Sequence, residues 1–498
     1  MRGKAKAVSN KIWTAAAGEA GIRIRMYRVG FGDFFLLSFL RDSGAPLHVI
    51  IDCGVFKGTS QTGDIGSIEA AVGNMADVTD GNIELIIMTH RHADHIAGFA
   101  RCSAVFKSLH VGAVWMPVWE CEYSAPAMKY QAELTATAQR LNQYLASLGA
   151  AASEAQQTAR KYMENAVGVA GSGSNAAALD LLKHELGVAP KYYQGGSEPE
   201  LPDTLRTAGL KADILGPPPV DDLQMMKLMD VKKGVGQYLD SVGLESAGLG
   251  AGDCTPFDPE WECQSAQVCD AYSTVDYGVP AFREWAAQRS NSPCMPQQQA
   301  RVAQQKMELT LQEAQPIAAL TAAKQLNSFL NNQSLVVLFT FQGKKLLFAG
   351  DAQAGNWEHW LFATDTPDQQ AGGELAQRAK EILAGLDFYK VGHHGSSNAT
   401  PIPAVQAMGT VAHRFVALCS TEAGVYGHED FDDKSKGTEV PRAPLLEALG
   451  DKSALVRSDQ IPATFGAETV APKVTTPLPA NGPGYRLQAG PVWVDCYL

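Results

Sequence analysis

Long apolar segments are absent from this sequence. Residues 335–341 form one of its most apolar runs, and that run has only the length of a strand. A membrane-spanning helix needs about 20 consecutive apolar residues. Near the start, residues 13–18 are too few and too mildly apolar to form the core of a signal peptide. We therefore expect a cytoplasmic protein that makes no use of a membrane.

Cysteine and positive charge are also scarce. The nine cysteines among 498 residues lack the spacing of a small disulfide-stabilised domain, so they indicate a reducing compartment. Lysine and arginine total 41 against 53 aspartates and glutamates, which gives a net charge of -12. That balance argues against a broad basic face for duplex nucleic acid. An anionic substrate remains compatible with it, because bound divalent cations can make one cleft locally positive.

The pattern of apolar residues indicates a mixed α/β protein. A hydrophobic fraction of 45% over 498 residues is sufficient for one large domain or two to three ordinary ones. β-Prone runs alternate with segments of helical spacing near both ends of the chain, which is typical of layered α/β domains. Strands are predicted at residues 22–29, 34–39, 47–51, 83–88, 112–118, 209–215, 335–340, 344–349, 387–391, 415–419 and 492–497, and a helix at 96–109.

The span of residues 120–330 has a different character. Residues 246–296 are rich in glycine, proline and serine and predict a long loop or lid. Only the run at 209–215 resembles a strand of the core. We therefore expect two halves of one core, residues 20–119 and 331–498, separated by a long, largely helical insertion. Helices are predicted within the insertion at residues 131–166, 175–186 and 297–330.

The strongest chemical signal is the segment HRHADH at residues 90–95, which follows a predicted strand. Side chains alternate along an extended chain, so His90 and His92 lie on one side and can bind one cation through neutral ring nitrogens. Asp94 and His95 stand at the entry to the next predicted helix and can turn toward a second cation. Imidazole and carboxylate ligands favour Zn²⁺ first, with Mn²⁺ or Fe as chemically reasonable occupants.

Further ligands should follow other predicted strands. Asp351 comes after an apolar run and is the best candidate for a carboxylate that bridges two cations. His393 and His394 precede a Gly-Ser pair whose backbone amides can face an anion, and His428 follows a later strand. Each signal is weak alone, because an aspartate after a strand is usually a turn residue and a loop histidine is usually exposed. They gain weight only together with the HRHADH segment.

In their order, these motifs resemble the metallo-β-lactamase superfamily. Within it, the best match is the hydrolase domain of ComEC-type DNA-uptake proteins and related stand-alone hydrolases, although the transmembrane channel of the uptake proteins is missing. The resemblance covers about half the chain, and the 120–330 span matches little beyond the strand near Ile214. Phe31 departs from the glutamine that this group has there. The matching segments are HRHADH (90–95), VGFGD (29–33), IDCG (51–54), NQSLV (332–336), GD (350–351), KVGHHGS (390–396) and YGH (426–428).

The resemblance implies a metallo-β-lactamase αββα sandwich with a site for two divalent metal ions, Zn²⁺ being expected first. Asp33 and Asp52 would orient the ligands through hydrogen bonds. The ligands carried over are His90 and His92 for one ion, Asp94, His95 and His428 for the other, and Asp351 between the two.

Two ligand assignments stay open. One of His393 and His394 would contact the substrate or a metal ion, and the sequence does not decide which. The superfamily usually has one more histidine between the HRHADH segment and the bridging aspartate. His110 and His184 are the only candidates in that interval, and neither is a convincing match. A histidine of the His393–His394 pair could instead complete the first metal site.

The resemblance further implies a hydrolase. A hydroxide held between the two ions would be the nucleophile, because coordination lowers the pKa of water to about 7. Asp94 would take part as a ligand, while His393 or His394, together with Ser396, would hold substrate oxygens or assist the leaving group. We expect a phosphodiester substrate, which could be a nucleic acid, a nucleotide or another organophosphate.

Two other functions stay open on the sequence alone. The same site could hydrolyse a lactone, a thioester or a β-lactam, and only a panel of substrates would separate these from a phosphodiester. The chain could also be a non-catalytic metal-binding sensor or interaction module, in which the insertion at residues 120–330 binds a protein partner. Binding of both ions without any turnover would favour this last function.

Overall fold

The computed structural model describes residues 21–41, 44–56, 66–148, 153–167, 175–223, 226, 319–362, 375–409, 414–427, 439–465, 468–470 and 476–498. The chain divides into two compact units. The first contains Met1–Thr135, Glu164–Ser246 and Ser328–Leu498, and the second contains Ala136–Met163 and Ala247–Asn327. In the second unit the described residues lie mostly in helices. All the sheets described below belong to the first unit.

Two large sheets form the first unit. Among the described residues, one sheet has eight strands in the order β17-β18-β1-β2-β3-β5-β7-β8, and the other has six in the order β14-β13-β12-β11-β10-β9. In chain order the strands are β1 (Ile22–Tyr27), β2 (Phe34–Phe39), β3 (Leu47–Cys53), β4 (Asn82–Ile83), β5 (Leu85–Ile87), β6 (His110–Val111), β7 (Val114–Pro117), β8 (Lys191–Tyr193), β9 (Lys211–Gly216), β10 (Val336–Phe341), β11 (Lys344–Phe348), β12 (Phe388–Lys390), β13 (Phe415–Cys419), β14 (Ser453–Arg457), β15 (Ala463–Phe465), β16 (Glu468–Val470), β17 (Arg486–Ala489) and β18 (Trp493–Tyr497).

The helices of both units fill the intervals between the strands. The unlabelled helical residues are 319–331 and the short turns at Val118–Glu120, Leu181–Glu185 and Gly392–Gly395. In chain order the labelled helices are α1 (Ile68–Thr79), α2 (Ala93–Arg101), α3 (Ser103–Phe106), α4 (Ala125–Ser147), α5 (Glu154–Val167), α6 (Asn175–Asp180), α7 (Asp203–Thr207), α8 (Ala354–Leu361), α9 (Gln377–Ala384), α10 (Ile402–Ala407) and α11 (Ala443–Gly450).

The core of the first unit lies between the two sheets. Ile24, Leu37 and Val49 from the first sheet join Val337 and Phe348 from the second in one buried cluster. On its other face, the first sheet packs against α1, α2, α3 and α6, and the second sheet packs against α8, α9, α10 and α11. Each sheet therefore buries both faces, which explains why its parallel strands are continuously apolar.

Strand direction determines where the functional residues gather. Strands β3, β5, β7 and β8 run parallel to one another, and so do β11, β12, β13 and β14. Because the carboxyl ends of parallel strands meet at one edge of a sheet, the loops that follow them lie side by side. The HRHADH segment follows β5, Asp351 follows β11, and the His393–His394 pair follows β12.

The prediction of a mixed α/β fold is confirmed, and its strands β2 and β13 have the predicted bounds. Three details differ. The helix predicted at 96–109 is broken at Cys102 into α2 and α3. The 120–330 span contributes two sheet strands, since β8 pairs with β7 and β9 pairs with β10. The prediction allowed only one, because β8 is three residues long and flanked by polar sequence.

Several other predictions concern the same span and the whole chain. The loop or lid at residues 246–296 lies outside the described residues. The helix predicted at 131–166 is two helices, α4 and α5. Among the residues that the structure describes, no helix is both long enough and apolar enough to cross a bilayer. The described cysteines have free thiols, and they are Cys53, Cys102, Cys121, Cys419 and Cys496.

Candidate metal centre

The segment at residues 90–95, called the ligand loop below, connects β5 to α2 and is packed tightly from below. Gly32 and Gly54 lie against the backbone of Asp94. A Cβ atom on Gly54 would come within 2.2 Å of Asp94 C and His95 N, and one on Gly32 within 2.9 Å of Asp94 O. Side chains at these two positions would displace the loop. This explains the glycines of the VGFGD and IDCG segments.

Two imidazoles of the ligand loop face each other. His90 Nε2 lies 2.9 Å from His92 Nδ1, and both residues are buried. Ligand atoms around one tetrahedral Zn²⁺ are about 3.3 Å apart, given bonds of about 2.0–2.1 Å. Burial lowers the pKa of His90 well below its ordinary value and that of His92 to about 4. Both rings are therefore neutral near pH 7, which is the form that binds a metal ion.

A second group joins the ligand loop to the second sheet. Asp94, His95, Asp351 and His394 each offer one atom, and these four atoms lie within 4.8 Å of one another. His95 Nε2 is 3.1 Å from Asp351 Oδ2, and His394 Nε2 is 3.2 Å from Asp94 Oδ2. His394 Nε2 is also 3.6 Å from Asp351 Oδ2. We call these four residues the carboxylate–imidazole cluster.

Charge in this cluster is strongly coupled. Burial alone would raise the pKa of Asp94, but His394 and His95 hold it down to about 2. Burial would likewise lower the pKa of His95, but Asp351, Asp52 and Asp33 hold it well above its ordinary value. The carboxylates are therefore ionised and demand positive charge close by. A metal ion meets the same demand.

Several polar atoms of the site are buried without a hydrogen-bond partner. An unsatisfied buried polar atom normally costs about 1–3 kcal/mol, so a group of them requires an explanation. Their donor types, imidazole nitrogen and carboxylate oxygen, are those that Zn²⁺ and related ions prefer. The residues present therefore fit a metal centre. The atoms are Asp33 Oδ1, His92 Nε2, Asp94 Oδ1, His95 Nε2 and His394 Nε2.

Asp52 orients the ligand loop from behind. Its Oδ2 accepts a hydrogen bond of 2.8 Å from His95 Nδ1, which directs Nε2 of that ring toward Asp351. The same carboxylate accepts hydrogen bonds of 2.7 Å from the backbone and hydroxyl of Thr89. Asp52 itself has a positive φ of 55° at the end of β3. This is the arrangement by which a carboxylate fixes the tautomer of a metal-binding histidine.

Lys390 is a buried cation in the centre of the site that the sequence analysis did not assign. Its Nζ contacts Asp33, donates to Gly350 O at 2.9 Å and lies 3.5 Å from Asp351 Oδ1. Burial would lower the pKa of Lys390, but Asp33 and Asp351 raise it. Because Lys390 faces Oδ1, the other oxygen of Asp351 is directed toward the imidazoles. A lysine ending a buried strand was the available signal.

The turn after β12 separates the roles of its two histidines. His393 and His394 both have positive φ, 43° and 52°, in a region that residues other than glycine rarely adopt. His394 Nδ1 donates to Ser420 O at 2.8 Å, which turns Nε2 into the carboxylate–imidazole cluster. His393 Nδ1 lies 2.6 Å from Ser396 Oγ, and its Nε2 is 3.9 Å from Asp351 Oδ2. His393 therefore lies at the border of the cluster.

The structure brings together most of the residues that the sequence predicted. His428 lies outside the described residues. His110 is exposed on β6, and His184 is exposed and pairs with Asp180 and Glu122. Neither supplies the additional imidazole. The predicted residues that meet at the site are His90, His92, Asp94, His95, Asp351, His393, His394 and Ser396, with Asp33 and Asp52 behind them.

A comparison with protein-family models finds no match for this chain, and a comparison with curated proteins finds none either. The fold and the site therefore rest on the residues themselves. They define a mixed α/β protein with a buried histidine–aspartate centre whose donor atoms fit metal ions.

Proposed function

We propose that this chain is a hydrolase of the metallo-β-lactamase fold that uses two divalent metal ions. One observation carries the proposal: unpartnered buried donor atoms converge at the edge where two sheets present the carboxyl ends of their parallel strands. The layer order of helices, sheet, sheet and helices supports this fold. The free thiols support a reducing compartment, for which we propose the cytoplasm.

The charge of the site supports an anionic substrate. Asp33, Asp52, Asp94 and Asp351 are buried there together with a single ammonium, that of Lys390. Two divalent ions would outweigh the remaining negative charge by one unit. A net positive site stabilises a substrate whose negative charge grows in the transition state. A phosphodiester is such a substrate, and the ComEC-like motifs point to the same bond.

The side chains divide the work of such a centre. His90 and His92 would hold one ion, and Asp94, His95 and His394 the other, with Asp351 shared through Oδ2. When bound, the two ions supply an activated water and stabilise negative charge on oxygen, Zn²⁺ being the first candidate and Mn²⁺ or Fe the others.

His393 is placed to contact the substrate. Its ring is less buried than those of the ligands, with 17% of the side chain exposed. Ser396 Oγ lies 2.6 Å from Nδ1, and Ser396 in turn donates to Asn398 Oδ1 at 2.8 Å. This chain gives Nδ1–H an acceptor and leaves Nε2 with its lone pair toward the site. The ring would position a substrate oxygen or exchange a proton with a leaving group.

A substrate panel tests the proposal. The full chain, loaded with Zn²⁺ or Mn²⁺, should hydrolyse bis-p-nitrophenyl phosphate or oligonucleotides, and His92→Ala should abolish the activity. His110→Ala is the matched control, because His110 is an exposed histidine away from the site. Turnover of a lactone, thioester or β-lactam instead would retain the hydrolase and replace the substrate. Two bound ions with no turnover of any substrate would overturn the hydrolase in favour of a metal-binding module.

A further inference from the structure

The ligand loop is held from its outer side by the span of residues 120–185, which the resemblance does not cover. Asn165 near the end of α5 accepts a hydrogen bond of 3.1 Å from the backbone N–H of Asp94. Asn175 at the start of α6 donates to the carbonyl of Arg91 at 2.8 Å. Both asparagine side chains are at least nine-tenths buried. All of these residues belong to the first unit.

The hydrogen bond from Asp94 has a specific physical role. His92 is the N-cap residue of α2, and its side chain makes no capping hydrogen bond. An N-cap side chain normally accepts from the second or third backbone N–H of its helix. A histidine that binds a metal ion cannot do so, because its ring is turned toward that ion. Asn165 accepts from the N–H of Asp94 and thereby supplies the cap from another helix.

Asn175 links this cap to the rest of the ligand loop. Its Nδ2 lies within hydrogen-bonding distance of Asn165 O and Ala166 O, at 3.0 and 3.2 Å, as well as of Arg91 O. The last carbonyls of α5 have no partner within their own helix. One amide therefore joins the end of α5 to the backbone between His90 and His92.

A buried ion pair secures the same loop through the side chain of Arg91. Its guanidinium makes a two-pronged contact with Glu120, at 2.7 and 2.8 Å. Glu120 is fully buried and also lies 3.5 Å from Lys183 Nζ. Burial would raise the pKa of Glu120, but Arg91 and Lys183 hold it below its ordinary value. The span at 120–185 thus contacts the loop through a backbone N–H, a backbone carbonyl and a side chain.

We propose that Asn165 and Asn175 are positioning residues of the metal centre, and that this span acts as a clamp on the ligand loop. The inference rests on the proposed function, because it assigns the clamp to the two-metal site. Asn165 acts on Asp94 and, through it, on the ion that Asp94 would bind. Asn175 acts on the peptide between the two histidines of the other ion. The clamp gives a purpose to sequence that carries no ligand itself.

The test measures metal binding rather than turnover. Full-length wild type, Asn165→Leu and Asn175→Asp are titrated with Co²⁺ against a competing chelator while the visible absorption of Co²⁺ is recorded. Leucine removes the acceptor at similar volume, and aspartate at 175 replaces the donor by an acceptor. We expect the more weakly held ion to bind about 10- to 100-fold more weakly, as for other groups that orient ligands. The absorption band should also shift.

Two control variants separate positioning from stability. Asn165→Asp keeps an acceptor oxygen and should restore wild-type affinity and absorption. Gln156→Ala removes a different cap on the same helix, where Gln156 Oε1 accepts from Ser153 N at 2.9 Å, and should lower stability without changing metal affinity. Circular dichroism and urea unfolding report whether each variant is folded. If Asn165→Leu does not fold, Asn175→Asp and the Asn165→Asp comparison still decide.

Each outcome has one meaning. If wild type binds two ions and both variants bind them with unchanged affinity and absorption, the clamp is wrong and the metal centre stands. If the variants lose affinity but the wild type hydrolyses no substrate, the clamp stands and the hydrolase is wrong. If wild type binds no Co²⁺, both proposals are overturned.

Discussion

Replacement of Lys390 by methionine tests whether this residue compensates the charge of the site. The ammonium is 98% buried and contacts Asp33, Asp351 and the carbonyl of Gly350. Methionine retains most of the volume of the stem, so the loss of packing is small. The main effect is the removal of one buried positive charge from between two carboxylates.

The size of the effect follows from the geometry. Removing one partner of a buried ion pair costs about 3–5 kcal/mol, because the other charge is left without compensation. We expect Lys390→Met to lower the free energy of unfolding by this amount in the presence of a chelator. With saturating Zn²⁺ the loss should be smaller, because the ions bring positive charge to Asp351. By linkage, each 1.4 kcal/mol of difference corresponds to tenfold tighter Zn²⁺ binding by the variant.

The assay is urea unfolding followed by fluorescence of the buried tryptophans Trp115, Trp119 and Trp357, with chelator and with Zn²⁺. Lys345→Met is the matched control, since Lys345 on β11 contacts only a carbonyl at the surface and should change stability by less than about 0.5 kcal/mol. A loss below about 1 kcal/mol for Lys390→Met in chelator would refute the compensating role. A loss that does not depend on Zn²⁺ would separate Lys390 from the metal centre.

Three further predictions follow from single contacts. His394→Ala should remove one of two bound ions, because His394 Nε2 faces both Asp94 and Asp351. Gly54→Ala should weaken metal binding and cost about 1–3 kcal/mol, since the added Cβ would lie 2.2 Å from the Asp94 backbone. Burial and, secondarily, a nearby arginine lower the pKa of His48 to about 3. The unfolded chain therefore binds a proton below about pH 6.5 that the folded chain refuses, and stability should fall by about 2 kcal/mol between pH 7 and pH 5.

Each of these has a measurement and a contradicting result. Metal analysis after dialysis should find one ion per chain in His394→Ala, and two would show that another residue is the ligand. Gly73→Ala is the control for Gly54→Ala, because a Cβ at Gly73 meets no atom within 4 Å and alanine is the better helix residue. His48→Gln should reduce the fall in stability between pH 7 and pH 5 by about 2 kcal/mol, and an unchanged fall would assign it to other groups.

The sequence predicted those parts of the fold in which local pattern and burial agree. Strands β2 and β13 are apolar throughout and buried throughout, so their bounds could be predicted. Strand β8 is short, and its Lys191 and Tyr192 remain partly exposed, so periodicity gave no signal. Its place in the sheet depends on pairing with β7. Pairing between distant segments has no signature in either segment alone.

The same distinction applies to the site. The HRHADH segment is visible because all its donors are adjacent in sequence. The choice between His393 and His394 depends on two residues with positive φ and on Ser420 O, which turns the second ring inward. Asn165 was not predicted, because a single amide in a polar helix has no distinguishing pattern. Its role depends on a contact with Asp94, 71 positions away.

The pairing of β1 has a consequence for synthesis of the chain. This strand lies between β2 and β18, and Ile24 stands opposite Cys496. At about 5–20 residues per second, the ribosome needs tens of seconds between producing the two strands. During that interval one edge of β1 lacks its partner, and Arg23 and Arg25 make that edge a poor template for pairing with another chain. When β18 emerges, Arg25 binds Asp495 at 2.7 Å. The arginines that protect the waiting strand thus also fix the register of its final partner.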